Sequence, residues 1–285
     1  MATTDQKNYL FEDFYAATQH ALEALESQFE VSGVRDQVFG ANSTEQQAKE
    51  SLRASRAWAT LSALYDYAIT GIEGAAEGPS DIVIDGSDVL KLVTTENHWP
   101  CAQWDDLVAM ADGRFALDDG LPVAIQKVAL LANVDVRTVR NAVSAGELVS
   151  FKREDGVYIE NGSVRRWLHG RKGFKPTVHS YGDEELHLED VNSPAQFGSL
   201  LTAKRSKLGV EGGVDKVPML HPKVTAATLE EIEAGIFDVP LDAVFPLADF
   251  YKVGRKELLD CVMRVFFYEE LRMLADAPPA PAEAG

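Results

Sequence analysis

Residues 122–175 read PVAIQKVALLANVDVRTVRNAVSAGELVSFKREDGVYIENGSVRRWLHGRKGFK, and the parsing of this stretch decides the fold. Val123, Ile125, Val128, Ala129 and Ala132 recur at close to i, i+3, i+4 spacing, which predicts a helix from Val123 to Ala132 with one buried face. Asn133-Val134-Asp135 interrupts it. Asp135 is positioned to accept hydrogen bonds from the free backbone N–H groups of a second helix, Val136 to Ala145, which Gly146 ends. Leu148 to Ile159 reads as two short strands around Arg153-Glu154-Asp155-Gly156, since Asp-Gly is a strong hairpin signal. A last helix is expected from about Gly162 to His169.

Helix, tight turn, helix, hairpin, helix is the order of a winged helix-turn-helix. The run ALLANVDVRTVRNAVSAGELVSFKREDGVYIENGSVRRWLHGR resembles the small winged module shared by excisionases and the DNA-binding heads of the MerR type. In that pattern an Ala-rich helix and a turn precede a recognition helix of the form V-x-x-V-R-x-x-x-x-x-G, followed by a wing and an R-R-W-L helix. The resemblance covers roughly a fifth of the chain and implies DNA binding, with Arg137, Thr138, Arg140 and Asn141 toward the major groove. Arg suits a bidentate contact with guanine and Asn one with adenine. Lys152 and Arg153 fall at the wing tip, and Arg165, Arg166, Arg171, Lys172 and Lys175 trail behind it as expected phosphate contacts. Val128, Val139, Val143, Leu148 and Trp167 are expected in the core.

Charge supports the same stretch independently of any family. The 285-residue chain has a formal net charge of −18, yet residues 121–180 hold ten Lys+Arg against five Asp+Glu. Residues 1–120 hold seven against twenty-one, and 181–285 ten against nineteen. A basic island in an acidic protein is a local footprint for a polyanion, because cations that neutralise phosphates release condensed counterions. Elsewhere the chain should be repelled from DNA, so binding is expected to be oriented and salt dependent. The competing reading of the island is a solvated charged face that binds nothing.

Hydrophobic content of 46% and charged content of 25% are those of an ordinary globular protein. No apolar run is long enough to cross a bilayer, and MATTDQKNYLFEDFY lacks the basic and apolar regions of a signal peptide, so a cytoplasmic location is expected. Cys101 and Cys261 stand far apart with no CxxC or Cys/His cluster, which points to buried small hydrophobes and no metal site. The sequence contains no GxGxxG, P-loop, HExxH or GxSxG; adjacent acids such as Asp105-Asp106 and Asp118-Asp119 are expected to cap helices or sit in turns. Neither an enzyme nor a cofactor is expected.

The fold expected overall is mainly α. Residues 1–78 should form a helical hairpin: Tyr9 to Glu30, with Leu10, Phe14, Ala17, Ala21, Leu25 and Phe29 on one stripe, then a long helix from Ser43 or Thr44 to about Ile72. A capping box of Ser43 with Gln46, or of Thr44 with Gln47, would open that second helix. The paired stripes read as core or as a dimer seam. Gly71 to Ser80 reads as a linker, and 79–120 as short helices, Gly86 to Thr95 and Cys101 to Ala111, with His98, Trp99 and Trp104 available to line a small-molecule pocket. The winged unit takes 121–178. Residues 179–193 form an acidic connector in which His187, Glu189 and Asp190 lack the further ligands a metal needs.

Residues 194–276 resemble the helical domain of the Cro and lambda-repressor class. Leu200, Arg205 and Gly209 match its opening helix, Ile232-Glu233-Ala234-Gly235 the end of its recognition helix, and Val244, Leu247, Ala248 and Val253 the helix that packs beneath. The match is degenerate, because EGGVDKVPMLHPK opposes the second helix with two Gly and two Pro. Thr225 to Ala234, in the recognition position, presents Glu230, Glu231 and Glu233 and no basic residue. This domain is therefore expected to bind a protein, or DNA only weakly, rather than read a DNA sequence; Lys204, Arg205, Lys207, Lys216 and Lys223 nearby leave a DNA role open. Arg255 to Ala275 is expected to be a long apolar helix suited to a subunit contact, and 277–285 a disordered tail. The expected partners are double-stranded DNA and a second copy of the chain. The function expected is transcriptional regulation of bacterial or phage type, with a protein-interaction adaptor as the alternative.

Overall fold

The computed structural model describes residues 2–73, 78–94, 101–169, 171–178, 186–208, 221–268 and 271. It is mainly helical with one small sheet, and the chain divides into two compact units. The first comprises Met1–Phe115, Ala124–Ala142 and Lys172–Ser180; the second comprises Ala116–Val123, Val143–Arg171 and Tyr181–Gly285.

The first unit opens with α1 (Ala2–Phe29), α2 (Val34–Phe39), α3 (Glu45–Arg53) and α4 (Arg56–Tyr65), the last running into a π-helical turn at Asp66–Thr70. Leu10, Phe14, Ala17 and Ala21 of α1 are buried as the stripe predicts, but Leu25 and Phe29 are exposed, so the stripe outruns the core. The expected two-helix hairpin is not what forms. Thr44 and Gln47 do make the reciprocal capping box. The long helix then breaks at Ala54-Ser55, because the Ser55 hydroxyl donates to the Leu52 carbonyl (2.6 Å) and accepts from the Trp58 N–H (3.2 Å), closing one helix and capping the next.

α5 (Pro79–Val93) starts well before Gly86, since Pro79 at the first position gives up an N–H that no helical carbonyl needs. Gly86 lies inside it where α4 approaches; an added Cβ would stand 2.9 Å from Leu64 Cδ2. α6 (Ala102–Asp118) also exceeds its expected end, so Asp118 closes a helix where it was expected to open one or sit in a turn. Burial and the neighbouring Asp118 charge push the Asp119 carboxyl up. Phe11, Leu61, Ile82, Trp104 and Ala111 belong to one hydrophobic cluster, so the expected division at residue 78 separates nothing. His98 and Trp99 lie outside the described residues.

Val123 and Ala124 form a strand, β1 (Val123–Ala124), and the helix, α7 (Ile125–Ala132), begins after it. α8 (Val136–Ser144) follows, then β2 (Ser150–Arg153), β3 (Gly156–Ile159) and α9 (Asn161–His169). The sheet order is β1-β3-β2; β2 and β3 are antiparallel, with Phe151 opposite Tyr158 and Arg153 opposite Gly156.

The rest of the second unit is α10 (Pro194–Lys207), α11 (Ala226–Glu233), a short 3-10 turn at Leu241–Ala243, α12 (Val244–Tyr251) and α13 (Arg255–Phe266). Phe197, Leu201, Ile232, Val244, Leu247 and Val262 share its core. Inside lies an ion pair: Arg205 Nε and Nη2 donate to the two Glu233 oxygens at 2.6 and 2.8 Å, and the Tyr251 hydroxyl donates to Glu233 Oε1 at 2.8 Å. Along α13, Leu258, Cys261 and Val262 are buried in their own unit and Leu259, Val265 and Phe266 are half-buried, while Tyr268 and Leu271 beyond its end are exposed. Burial pushes the Cys261 thiol up to about 11. The region 209–220, which holds most of the degenerate helix, and the tail 277–285 lie outside the described residues. Among the described residues no helix is long and apolar enough to cross a membrane.

Candidate nucleic-acid interface

The turn between α7 and α8 is three residues long because Asn133 takes the left-handed conformation (φ 52°) that ends a helix, an angle Asn tolerates better than most residues. Its N–H and that of Val134 close onto the carbonyls of Leu130 and Ala129. Asp135 then opens α8: its Oδ1 accepts from the Arg137 N–H at 2.7 Å and its carbonyl from the Thr138 N–H at 2.8 Å. A carboxylate at the positive end of a helix is stabilising as well as capping.

α8 is sharply two-faced. Val139 and Ala142 are buried, while Arg137, Thr138, Arg140 and Asn141 are all exposed. Val143, expected in the core, is half-buried; Val128, Val139, Leu148 and Trp167 are buried as expected. Two helical turns therefore present two guanidiniums, a hydroxyl and a carboxamide to solvent from one short, capped rod.

The same unit holds Lys172 and Lys175, both exposed. Their segment is pinned by a residue the sequence reading passed over. Arg114 is 2% exposed and donates from Nη1 to the Lys175 carbonyl (2.7 Å) and Thr177 Oγ1 (3.1 Å), and from Nη2 to the Ala68 carbonyl (3.2 Å). Gly173 runs against the turn before α8, where an added Cβ would stand 3.2 Å from the Ala132 carbonyl oxygen. That approach sets the backbone next to Lys172 against the start of the α7–α8 turn.

In the second unit the hairpin tip carries Lys152 and Arg153, both exposed. The Arg153 guanidinium lies over the rings of Phe151 (5.3 Å) and Tyr158 (4.9 Å), a cross-strand pair stacked at 6.4 Å. The Tyr158 hydroxyl donates to Asp155 Oδ2 at 2.6 Å. An arginine held over aromatic rings keeps its charge at the surface while losing side-chain freedom.

Three of the trailing cations are used otherwise than expected. Arg165 is 8% exposed and is an internal staple: Nε donates to Asn161 Oδ1 (2.9 Å), Nη1 to the Ala234 carbonyl (3.2 Å) and Nη2 to the Leu117 and Asp118 carbonyls. Asn161 adds bonds to the carbonyls of Leu117 and Leu121. A cation on the carbonyls at the C-terminal end of α6 complements the helix dipole, and it leaves no phosphate contact for Arg165. Arg166 is exposed but paired with Asp238 at 3.2 Å. Arg171 is half-buried with its guanidinium 3.5 Å from the centre of the Trp167 ring, whose Nε1 donates to Glu147 at 3.1 Å. Sequence adjacency grouped these arginines with the exposed ones; burial separates them.

At the other unit's acidic helix the Thr225 hydroxyl accepts from the Thr228 N–H at 3.2 Å, and Glu230 is exposed. Glu233 points inward to Arg205, so it offers nothing to a partner. No group of three or more His, Cys, Asp or Glu side chains among the described residues is arranged to hold a metal ion. Comparison with family models, with curated proteins and with solved structures gave no match to this chain.

Proposed function

We propose that this chain is a duplex-DNA-binding transcriptional regulator that works as a winged helix-turn-helix. In this reading α7 and α8 form the helix-turn-helix, α8 reads the major groove, and the β2–β3 hairpin is the wing. The observation that carries it is the exposed face of α8, where Arg137, Thr138, Arg140 and Asn141 are all at the surface of a helix whose apolar side is buried, within the basic island of a chain of net charge −18. Arg137 and Arg140 recognise guanine edges and Asn141 an adenine edge. Lys152, Arg153, Lys172 and Lys175 hold the backbone and fix register without reading sequence. Arg165 belongs to the scaffold.

Six exposed cations in each copy neutralise at most six phosphates, which sets a log–log salt slope no steeper than about −5 per copy bound. A module of this size buries little area, so useful affinity requires two copies on one site, and the chain acts as a homodimer or higher assembly. The C-terminal unit, with an acidic helix in the recognition position, binds protein.

The test is selection from random duplexes by the full chain at low salt, repeated with Arg137→Ala and Arg140→Ala together. A consensus selected by the native chain and lost in the variant is the expected result. Selection retained in the variant would move recognition to the wing or the C-terminal unit. No binding at tens of millimolar salt would overturn the reading in favour of a protein-interaction adaptor.

A further inference from the structure

The first unit holds a cavity of about 780 Å³ between α5 and α6, within the range of small-molecule sites. Its α5 wall is a single stripe from Val83 to Thr94, about 16 Å of helix at about 1.5 Å per residue. Val83, Leu90, Trp104 and Val108 make the floor apolar. A groove of this length and lining takes an extended apolar body.

A further observation says what else the occupant carries. The rim is charged but unbalanced: Lys91 pairs with Asp88 at 2.9 Å and Lys127 pairs with Asp112, which leaves Asp105 without an ion pair among the described residues. The uncompensated charge is negative, in a stretch of chain, residues 1–120, that holds three acids for every base.

We propose that this groove binds a small apolar organic cation, its hydrocarbon body along α5 and its charged head at Asp105. Resting on the DNA-binding reading, the site is also an effector site. α6 touches α7 closely: a Cβ on Gly113 would meet Lys127 Cβ at 2.7 Å, and Lys127, at the cavity rim, belongs to the helix that precedes the turn into α8. An occupant that shifts α6 must shift α7.

The test measures binding to the full chain calorimetrically, without DNA, using three probes of equal chain length: octyltrimethylammonium, octanol and octanoate, all below their aggregation limits. The expected order is cation tighter than alcohol tighter than anion, with about a three- to fivefold preference for the cation over the alcohol, as one solvent-exposed ion pair allows. Asp105→Asn should remove that preference and leave octanol binding unchanged. Ala109→Phe, which fills the groove from α6, should abolish binding of all three while the circular dichroism spectrum and melting temperature stay as in the native chain. Octanoate binding as tightly as the cation, a preference that survives Asp105→Asn, binding that survives Ala109→Phe, or no binding at millimolar probe would each overturn the proposal. A second arm titrates the cation into the chain with its selected duplex, where a change in duplex affinity is expected and an unchanged affinity would overturn the effector role. Failure of the chain to bind any duplex would count against the DNA reading alone, since the first arm does not involve DNA.

Discussion

Helices α8 and α11 are built alike and offer opposite chemistry. Each is short, nine and eight residues, and each is opened by a side chain that accepts from a backbone N–H of the first turn, Asp135 for one and Thr225 for the other. Each buries two residues three apart, Val139 and Ala142 in α8, Leu229 and Ile232 in α11. Caps, length and burial are therefore indifferent to what the helix meets outside. The solvent faces decide it: Arg137 and Arg140 stand exposed on α8, whereas α11 exposes Glu230 and turns its last acid inward onto Arg205. A phosphate backbone attracts the first face and repels the second. The lesson is that two helices of one build differ, through the charge on a few surface positions, in what they can attract.

The comparison breaks most severely at the α8 face. Arg137→Ala with Arg140→Ala should weaken binding to the selected duplex about 30-fold or more, from about 1–3 kcal/mol for each bidentate contact, while leaving the melting curve within about 0.5 kcal/mol of the native chain because both side chains are exposed. Fluorescence anisotropy against the duplex and thermal unfolding check the two halves. The mirror experiment is Glu233→Ala, which strands the Arg205 guanidinium, 17% exposed, inside the second unit. It should destabilise that unit by about 3 kcal/mol, as loss of one partner of a buried pair does. Urea unfolding reads it, and an unchanged transition would show that the pair is dispensable.

A smaller effect sharpens the likeness of the two helices. Asp135→Ala and Thr225→Ala each remove a cap and should each cost about 1 kcal/mol in the unit concerned; only the first should also weaken DNA binding. The smallest is at the hairpin. Lys152→Ala should reduce the log–log salt slope by about 0.9 per copy bound without changing the consensus, measured by repeating the anisotropy titration at several salt concentrations. A change in consensus would make the hairpin a reader of sequence.

Much of the first-order plan was legible along the chain. The α7 and α8 helices, the turn at Asn133, the hairpin at Asp155-Gly156 and the last helix stand within a residue or two of their expected places, except that the first two residues of the expected α7 form a strand. These features depend on nearest neighbours: periodic apolar spacing, a capping carboxylate, a residue tolerant of positive φ. The break at Ser55 was also local, but a hydroxyl inside an apolar stripe reads equally as a tolerated polar residue and as a cap. The early start of α5 hid behind Gly86, where a helix breaker turned out to be a point of close contact with Leu64. For the candidate site, Arg137, Thr138, Arg140, Asn141, Lys152 and Arg153 were legible because exposure on a short amphipathic element follows from its own period. Arg165 was not, because its fate depends on carbonyls 47 and 48 positions earlier and 69 later.

By itself the sequence determined the charge pattern, the local elements of the basic island and the identity of the residues on the outer face of α8, since each follows from interactions within a few residues. Only the tertiary structure decided which arginines are surface and which are scaffold, that residues on both sides of position 78 share one core, that Leu258 and Val262 of α13 are buried in their own unit, and that Asp105 overlooks a groove. Those outcomes rest on burial against distant segments. Whether a guanidinium faces water or a row of helix-end carbonyls is set by what packs over it, and nothing in the spacing of neighbours along the chain carries that information.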